Sequence, residues 1–184
     1  MTPKIQPVDP DSCRPDIAEM LRAGGQTTGG ADNVSATLAS NPGLFRRFMP
    51  FAGKLLGAGK LSARDRELAV LRTAWVCRSA YEWGHHVRIG RDAGLSGAEI
   101  EAVKAGASGD GWARHDAAIL AATDELLTDH RVDDDTYRTL AETLTHEQLI
   151  ELLFLVGNYT MLAGFLNSLD VDYDGVTDAE ISGP

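Results

Sequence analysis

Strand-forming stretches are almost absent from this 184-residue chain, and with them goes any sheet or barrel. An N-cap residue, apolar positions at helical spacing and a glycine recur in that order along it. Cysteine is scarce: Cys13 and Cys77 are the only two. That excludes the disulfide framework of a small secreted domain and leaves room for one bridge at most. Basic residues are in deficit. Seventeen Lys and Arg against 27 Asp and Glu leave a net charge of −10, which argues against nucleic acid, whose phosphates need a basic face. No uninterrupted apolar run approaches the roughly 18 residues that suggest a membrane span. The N-terminal stretch, with four prolines before Asp16 and no apolar h-region, does not read as a secretory signal. The expectation is a cytoplasmic protein with neither a nucleic-acid nor a membrane partner.

What is present is an ordinary globular balance, 43% apolar and 24% charged, in a chain long enough for one real core. Residues 1–15 read as an extended arm laid on a neighbouring subunit; 16–170 as an all-α single-domain bundle of about eight helices; and 171–184 as an acidic tail. Expected helices cover Asp16 to Ala23 and, after a glycine-containing stretch to about Gly30, Asn33 to Ser40. Asn41-Pro42 then supplies an N-cap followed by proline at the first helical position. Pro50 kinks or ends that helix before Phe51 to Leu56. Ser62 opens the next one. Ser79-Ala80-Tyr81-Glu82 and Ser96-Gly97-Ala98-Glu99 both fit the S-x-x-E capping box, the first heading a helix to about Ala93 and the second one to Ala105. Ala113 to Leu127, Asp133 to Leu144 and Leu149 to Leu169 complete the set.

Leu61 to Val103 is the informative segment. Glu82 and His86 are four residues apart, hence one turn above each other on a single helix face. Gly84 between them costs about 1 kcal/mol relative to alanine, which makes sense if something approaches closely there. A carboxylate beside an imidazole can hold its tautomer and serve acid–base chemistry near neutral pH. The plainer alternative is open at this point: Glu82 as the third residue of a capping box, with His86 merely bonded to it.

These residues carry a resemblance to the carboxymuconolactone decarboxylase and alkylhydroperoxidase D families. The peroxidase branch has a Glu-x11-Cys-x2-Cys-x3-His signature over two consecutive helices. Aligning it on His86 puts Glu82, Ser79 and Glu67 at the remaining three positions. Leu61-Ser62, Tyr81-Glu82-Trp83, Gly94-Leu95-Ser96 and Glu99-Ile100 agree with the surrounding pattern. Weaker agreement, with Asn158 a departure, carries the likeness from about Asn41 to Asp170, and the chain looks like the cysteine-free branch in which Tyr-Glu-Trp precedes the histidine.

The resemblance implies an alkylhydroperoxidase D-like helical fold and a homo-oligomer. It also implies a cofactor-free acid–base enzyme of lyase type, decarboxylase or isomerase, acting on a small carbonyl or lactone acid. Glu67, Glu82 and His86 would be catalytic, with Glu82 orienting His86 and Glu67 completing the network; Tyr81, Trp83 and Tyr159 would bind substrate. Dithiol peroxidase activity is disfavoured, since Ser79 and Glu82 replace the two thiols and Cys77 has no neighbouring partner. A non-catalytic helical oligomer with a structural Glu–His pair is the alternative.

Other signals are weaker. Asp170 to Gly175 opens like an EF-hand loop, but the twelfth position is Ile181 rather than glutamate, so the calcium reading fails. His85 and His86 point about 100° apart on a helix and do not share one ion. His115, His130 and His146 fall in no ligand spacing, so no metal is expected. Phe45, Phe48, Met49 and Phe51 form an apolar cluster suited to a core or a subunit interface.

Overall fold

In the computed structural model, residues 2–25, 32–174 and 182–184 are described. Among them lie nine α-helices, one 3-10 turn and no strand. The helices are α1 (Pro15–Gly25), α2 (Asn33–Leu38), α3 (Pro42–Gly57), α4 (Ala63–Val76) and α5 (Ala80–Asp92), followed by α6 (Gly97–Val103), α7 (Arg114–Asp129), α8 (Asp134–Ala141) and α9 (His146–Leu169). Much of this follows from the caps. Asn41, Ser62, Ser79, Ser96 and Thr145 each accept a backbone N–H in the first turn of the helix they open, satisfying donors that a helix start leaves bare. Reciprocal capping boxes form at Ser96–Glu99 and Thr145–Gln148. The expected box at Ser79 is only half made, because Glu82 does not return a bond to the Ser79 backbone. Pro50 does not end α3, which runs through it to Gly57. The glycine stretch to Gly30 and the twelfth position of the calcium-loop motif fall outside the described residues.

Helix α4 is the axle. Leu68, Ala69, Val70 and Leu71 are consecutive and all fully buried, so this helix has no solvent face in its middle and cannot show a simple amphipathic pattern. It packs on α5, α7 and α9, and the main core gathers around it with Trp83, Ile100, Ile119, Leu120, Leu152 and Leu155. A second, smaller cluster forms where α1, α2 and α3 meet, around Ile17, Leu21 and Phe45. Phe48 and Met49 pack against that cluster, whereas Phe51 turns outward to the edge of Phe154.

Polar ties lock the helices in register. Arg72 on α4 grips Asp124 on α7 through two nitrogens at 2.6 and 3.1 Å and caps the end of α6 through the carbonyls of Val103 and Lys104. A bidentate charge pair of this kind is among the stronger polar contacts. Glu151 on α9 accepts the backbone N–H groups of Lys60 and Leu61 at 2.7–2.9 Å. Gly59 makes that possible, for a Cβ there would lie 2.2 Å from the Glu151 carboxylate. Helix α9 is long and apolar enough to cross a membrane by length and composition. Its interruption by Glu151 hides this from a count of uninterrupted apolar residues. One face of it belongs to the core, as Leu152, Leu155 and Leu166 show.

Both ends of the chain fold back on its own body. The arm is held by Lys4 N–H on the Leu169 carbonyl (2.9 Å) and Val8 N–H on that of Ala36 (3.0 Å). Beyond α9, Tyr173 lies against Gly84, where a Cβ would meet its ring at 2.8 Å. The ring also stands edge-on to His85 and Tyr81. Asp174 accepts from the Tyr81 hydroxyl at 2.9 Å, pairs with His85 Nε2 at 3.0 Å and receives the Asn33 backbone N–H. The mid-helix glycine thus has a cause: Tyr173 occupies the space of its side chain. No disulfide forms; Cys13 and Cys77 are both free.

If Tyr173 alone makes Gly84 necessary, Gly84→Ala should recover its helix propensity only when that ring is gone. In a Tyr173→Ala background the substitution should stabilise by about 1 kcal/mol, and in the parent chain by clearly less, the difference read from urea unfolding as a double-mutant cycle.

Candidate active site

Helices α4 and α5 form a tight antiparallel pair. Cys77 ends the first, Arg78 turns the chain through the left-handed region at φ 54°, and Ser79 opens the second while its own N–H bonds back to the Ala74 carbonyl at 2.8 Å. Gly90 lets the two axes draw together, since a Cβ there would touch Leu71 and come within 3.8 Å of the Glu67 Cβ. This hairpin brings Glu67, nineteen residues earlier in sequence, onto His86.

Glu67 Oε2 and His86 Nδ1 are 2.6 Å apart, and Arg66 Nε donates to Glu67 Oε1 at 2.8 Å. The Glu67 side chain is wholly buried; that of Arg66 is 17% exposed. The Tyr159 ring from α9 stands edge-on to the imidazole, centroids 5.0 Å apart. Glu82 is buried on the same stretch of α5, yet neither of its carboxyl oxygens has a hydrogen-bond partner. The buried Asn158 Oδ1, next to Tyr159, is also unpartnered. Native interiors rarely leave such atoms bare.

The two carboxyls are driven in opposite directions. Burial alone would raise Glu67, but the charge and hydrogen bond of His86, helped by Arg66, outweigh it and hold the group below the ordinary carboxylate value. Glu82 has no cation against it. Burial pushes it up to about 8, and the Ser79 hydroxyl, near the carboxyl but outside hydrogen-bond geometry, offsets only part of that. One carboxyl therefore stays ionised while the other keeps its proton at neutral pH, a split that separates a permanent charge from a proton donor. Burial and then the negative charges of Glu67 and Glu82 raise the Tyr159 phenol well above its usual range. Burial and Glu82 also raise the Cys77 thiol, the reverse of what a reactive thiolate requires.

The sequence-derived candidates divide. Glu67, His86 and Tyr159 come together, with Glu82 beside them, but the partner of His86 is Glu67 and not Glu82 as the i, i+4 spacing suggested. Tyr81 and Trp83 turn to other partners. The Tyr81 hydroxyl is spent on the Val34 N–H and Asp174. Trp83 packs on Trp75 at 5.3 Å, under the Lys104 ammonium. Arg66 was missed: Arg-Glu neighbours on a helix diverge by about 100°, so the sequence gives no sign that the long side chain folds back onto Glu67. A second group was missed as well. Asp65, His115 and Asp116 bring ligand-type atoms within 4.8 Å of one another. His115 Nε2 meets Asp65 at 3.0 Å and its Nδ1 meets Thr143 at 2.8 Å, while Arg64 binds Asp116 at 2.7 Å and so supplies the positive charge a cation would bring.

Comparison with known proteins agrees with this architecture. Residues 42–124 match the model of the carboxymuconolactone decarboxylase family. No curated protein sequence matches the chain. Among solved structures, an uncharacterised peroxidase-related protein with an alkylhydroperoxidase AhpD core, from Ralstonia eutropha JMP134, superposes with a TM-score of 0.80 at 20% identity, over 94% of this chain and 92% of that one. The debrominase Bmp8, in a cysteine-to-alanine variant bound to 2,3,4-tribromopyrrole, gives 0.78 at 16% identity over 98% and 94%. A protein of unknown function from Agrobacterium tumefaciens, described as a putative antioxidant defence protein AhpD, gives 0.68 at 18% identity over 76% and 96%. At these identities the likeness speaks to the fold, which is the all-helical AhpD-like one.

Glu82 has a pH signature. Its pKa is higher in the folded chain, so between about 4.5 and 8 the folded state keeps a proton that the unfolded state has lost, and stability falls as pH rises through that window. Relative to the parent, Glu82→Gln should gain roughly 2–5 kcal/mol on going from pH 5 to 8.5. Urea unfolding at the two pH values measures this; an unchanged slope in the variant would place the titration elsewhere.

Proposed function

Residues 42–124 match the model of the carboxymuconolactone decarboxylase family, and from that likeness we propose that the protein is a cofactor-free acid–base enzyme acting on a small carbonyl or lactone acid. The observation that carries the reading is the pair of carboxyls driven apart around one histidine: Glu67 ionised on His86, Glu82 protonated and unpartnered. In the proposed chemistry Glu67 accepts the Nδ1–H of His86. That fixes the tautomer and leaves Nε2 as the base that removes a proton beside a carbonyl, or returns one after loss of carbon dioxide. Glu82, still protonated, hydrogen-bonds the enolate oxygen as charge develops on it, with the Tyr159 hydroxyl as a second donor. Tyr81 and Trp83 act indirectly in this scheme, through the packing of α5.

The peroxidase reading is less well supported. The chain places serine and glutamate at the two thiol positions, and Cys77 lacks both a partner thiol and a lowered pKa. A structural role for the Glu67–His86 pair draws support from burial, since His86 and Glu82 are only 5% and 4% exposed in the single chain. Proton exchange separates these readings. Keto acids and lactones incubated in D2O should lose α-proton NMR signal in the presence of the protein. His86→Ala and Glu67→Gln should slow that loss by about 10²-fold or more. The rate should also decline above pH 8, with that decline absent in Glu82→Gln. Exchange that is undiminished in His86→Ala would favour the structural role.

Self-association is part of the same proposal. Seven large apolar side chains on α3 and α9, among them Leu44, Phe51, Ile150, Phe154 and Met161, are 39–58% exposed, and Phe51 and Phe154 join the two helices edge to face, a concentration of exposed apolar groups that suits a protein interface. Along α9 the sequence Ile150, Phe154, Gly157, Met161, Gly164 alternates steps of four and three, the seam of a helix pairing with another helix. A Cβ on either glycine would meet nothing, leaving room for a second backbone. Phe154→Asp should convert an oligomer to monomer by light scattering without lowering the helix content; a parent chain that is already monomeric would dismiss this interface.

A further inference from the structure

The cluster around His86 holds one cation whose hydrogen-bonding capacity is mostly unused. Arg66 Nε donates to Glu67, and its two terminal nitrogens bond to no described residue. Yet the side chain is only 17% exposed, so it has given up most of its water. A guanidinium so placed keeps four N–H donors in a fixed planar fork, open to an acceptor that arrives from solvent. The terminal fork matches a carboxylate in both spacing and charge.

Position supports the same conclusion. Glu67 is 0%, Glu82 4%, and His86 and Tyr159 5% exposed, so Arg66 is the most open member of the cluster. Charge accounting agrees. When His86 takes up a proton, two cations, Arg66 and His86, stand against the single anion Glu67, and one further negative charge would balance the site.

We infer that Arg66 is the substrate-binding residue that anchors the carboxylate of an anionic substrate beside His86 and Glu82. The inference rests on the acid–base reading of the site, but concerns binding and not turnover. The competing role for Arg66 is that of counter-ion to Glu67 alone.

Benzoate and its neutral isostere benzamide are suitable probes for the full-length chain, with binding followed by ligand-observed NMR. Benzoate should bind about tenfold or more tightly than benzamide, the range expected for a hydrogen-bonded charge pair. Arg66→Met should erase that preference. Because Arg66→Met strands the Glu67 charge, the double variant Arg66→Met/Glu67→Gln restores neutrality. It should unfold like the parent and still lack the preference. A double variant that keeps the benzoate preference, or a parent that shows none, would overturn the inference. His86→Ala should keep the preference while losing proton exchange. Exchange surviving in that variant would refute the acid–base reading and leave the anchoring role of Arg66 standing.

Discussion

A carboxylate sealed completely from water is the most expensive group a helical core can contain, and Glu67 is tolerated because two partners meet it. His86 approaches one oxygen at 2.6 Å and Arg66 the other at 2.8 Å. Removing either would leave the buried charge with a single partner, in a region where an unpaired one costs several kcal/mol. The geometry of the hairpin follows from this need. Helices α4 and α5 must run antiparallel, close enough for a glutamate and a histidine nineteen positions apart to touch. Gly90 supplies the closeness and the left-handed Arg78 supplies the turn. Helix α4, wrapped on all sides by α5, α7 and α9, then holds Glu67 in a setting that does not yield.

Glu82 shows the same environment acting on a group without partners. The two carboxyls share a helix pair and differ chiefly in what faces them. Where cations stand, ionisation is favoured; where none does, burial retains the proton. The contrast needs no special chemistry in either residue, only the direction in which two neighbouring side chains leave their helices.

Much of the fold was legible because helix ends are written locally. Asn41, Ser62 and Ser96 announce their helices within four residues, and the structure has caps at all of them. Helix count and the fate of Pro50 were less legible, since continuation through a proline depends on what packs around it. In the candidate site, Glu67, His86 and Glu82 were singled out through a signature spacing. The structure pairs His86 with Glu67 and not with Glu82, because a spacing of four is a strong local hint and a contact between helices leaves no local trace. Tyr81 looked available until Asp174, ninety-three positions later, claimed its hydroxyl. The Arg72–Asp124 clamp and the Glu151 loop cap were invisible for the same reason: each side chain has its meaning only across a tertiary distance.

The way the chain's two ends are fastened carries a kinetic consequence. Lys4 joins Leu169, and Asn33 joins Asp172 and Asp174, contacts that span nearly the whole sequence. Such closures can form only after the helices between them have docked, because the entropy of closing so long a loop is repaid by few bonds. The α4–α5 hairpin, by contrast, closes within thirty residues. Assembly should therefore begin at the chemical centre and finish at the periphery, and the clasp of Tyr173 on Gly84 should be among the first contacts to open when the native state fluctuates. The residues that position His86 sit in the part of the molecule that forms early and loosens last.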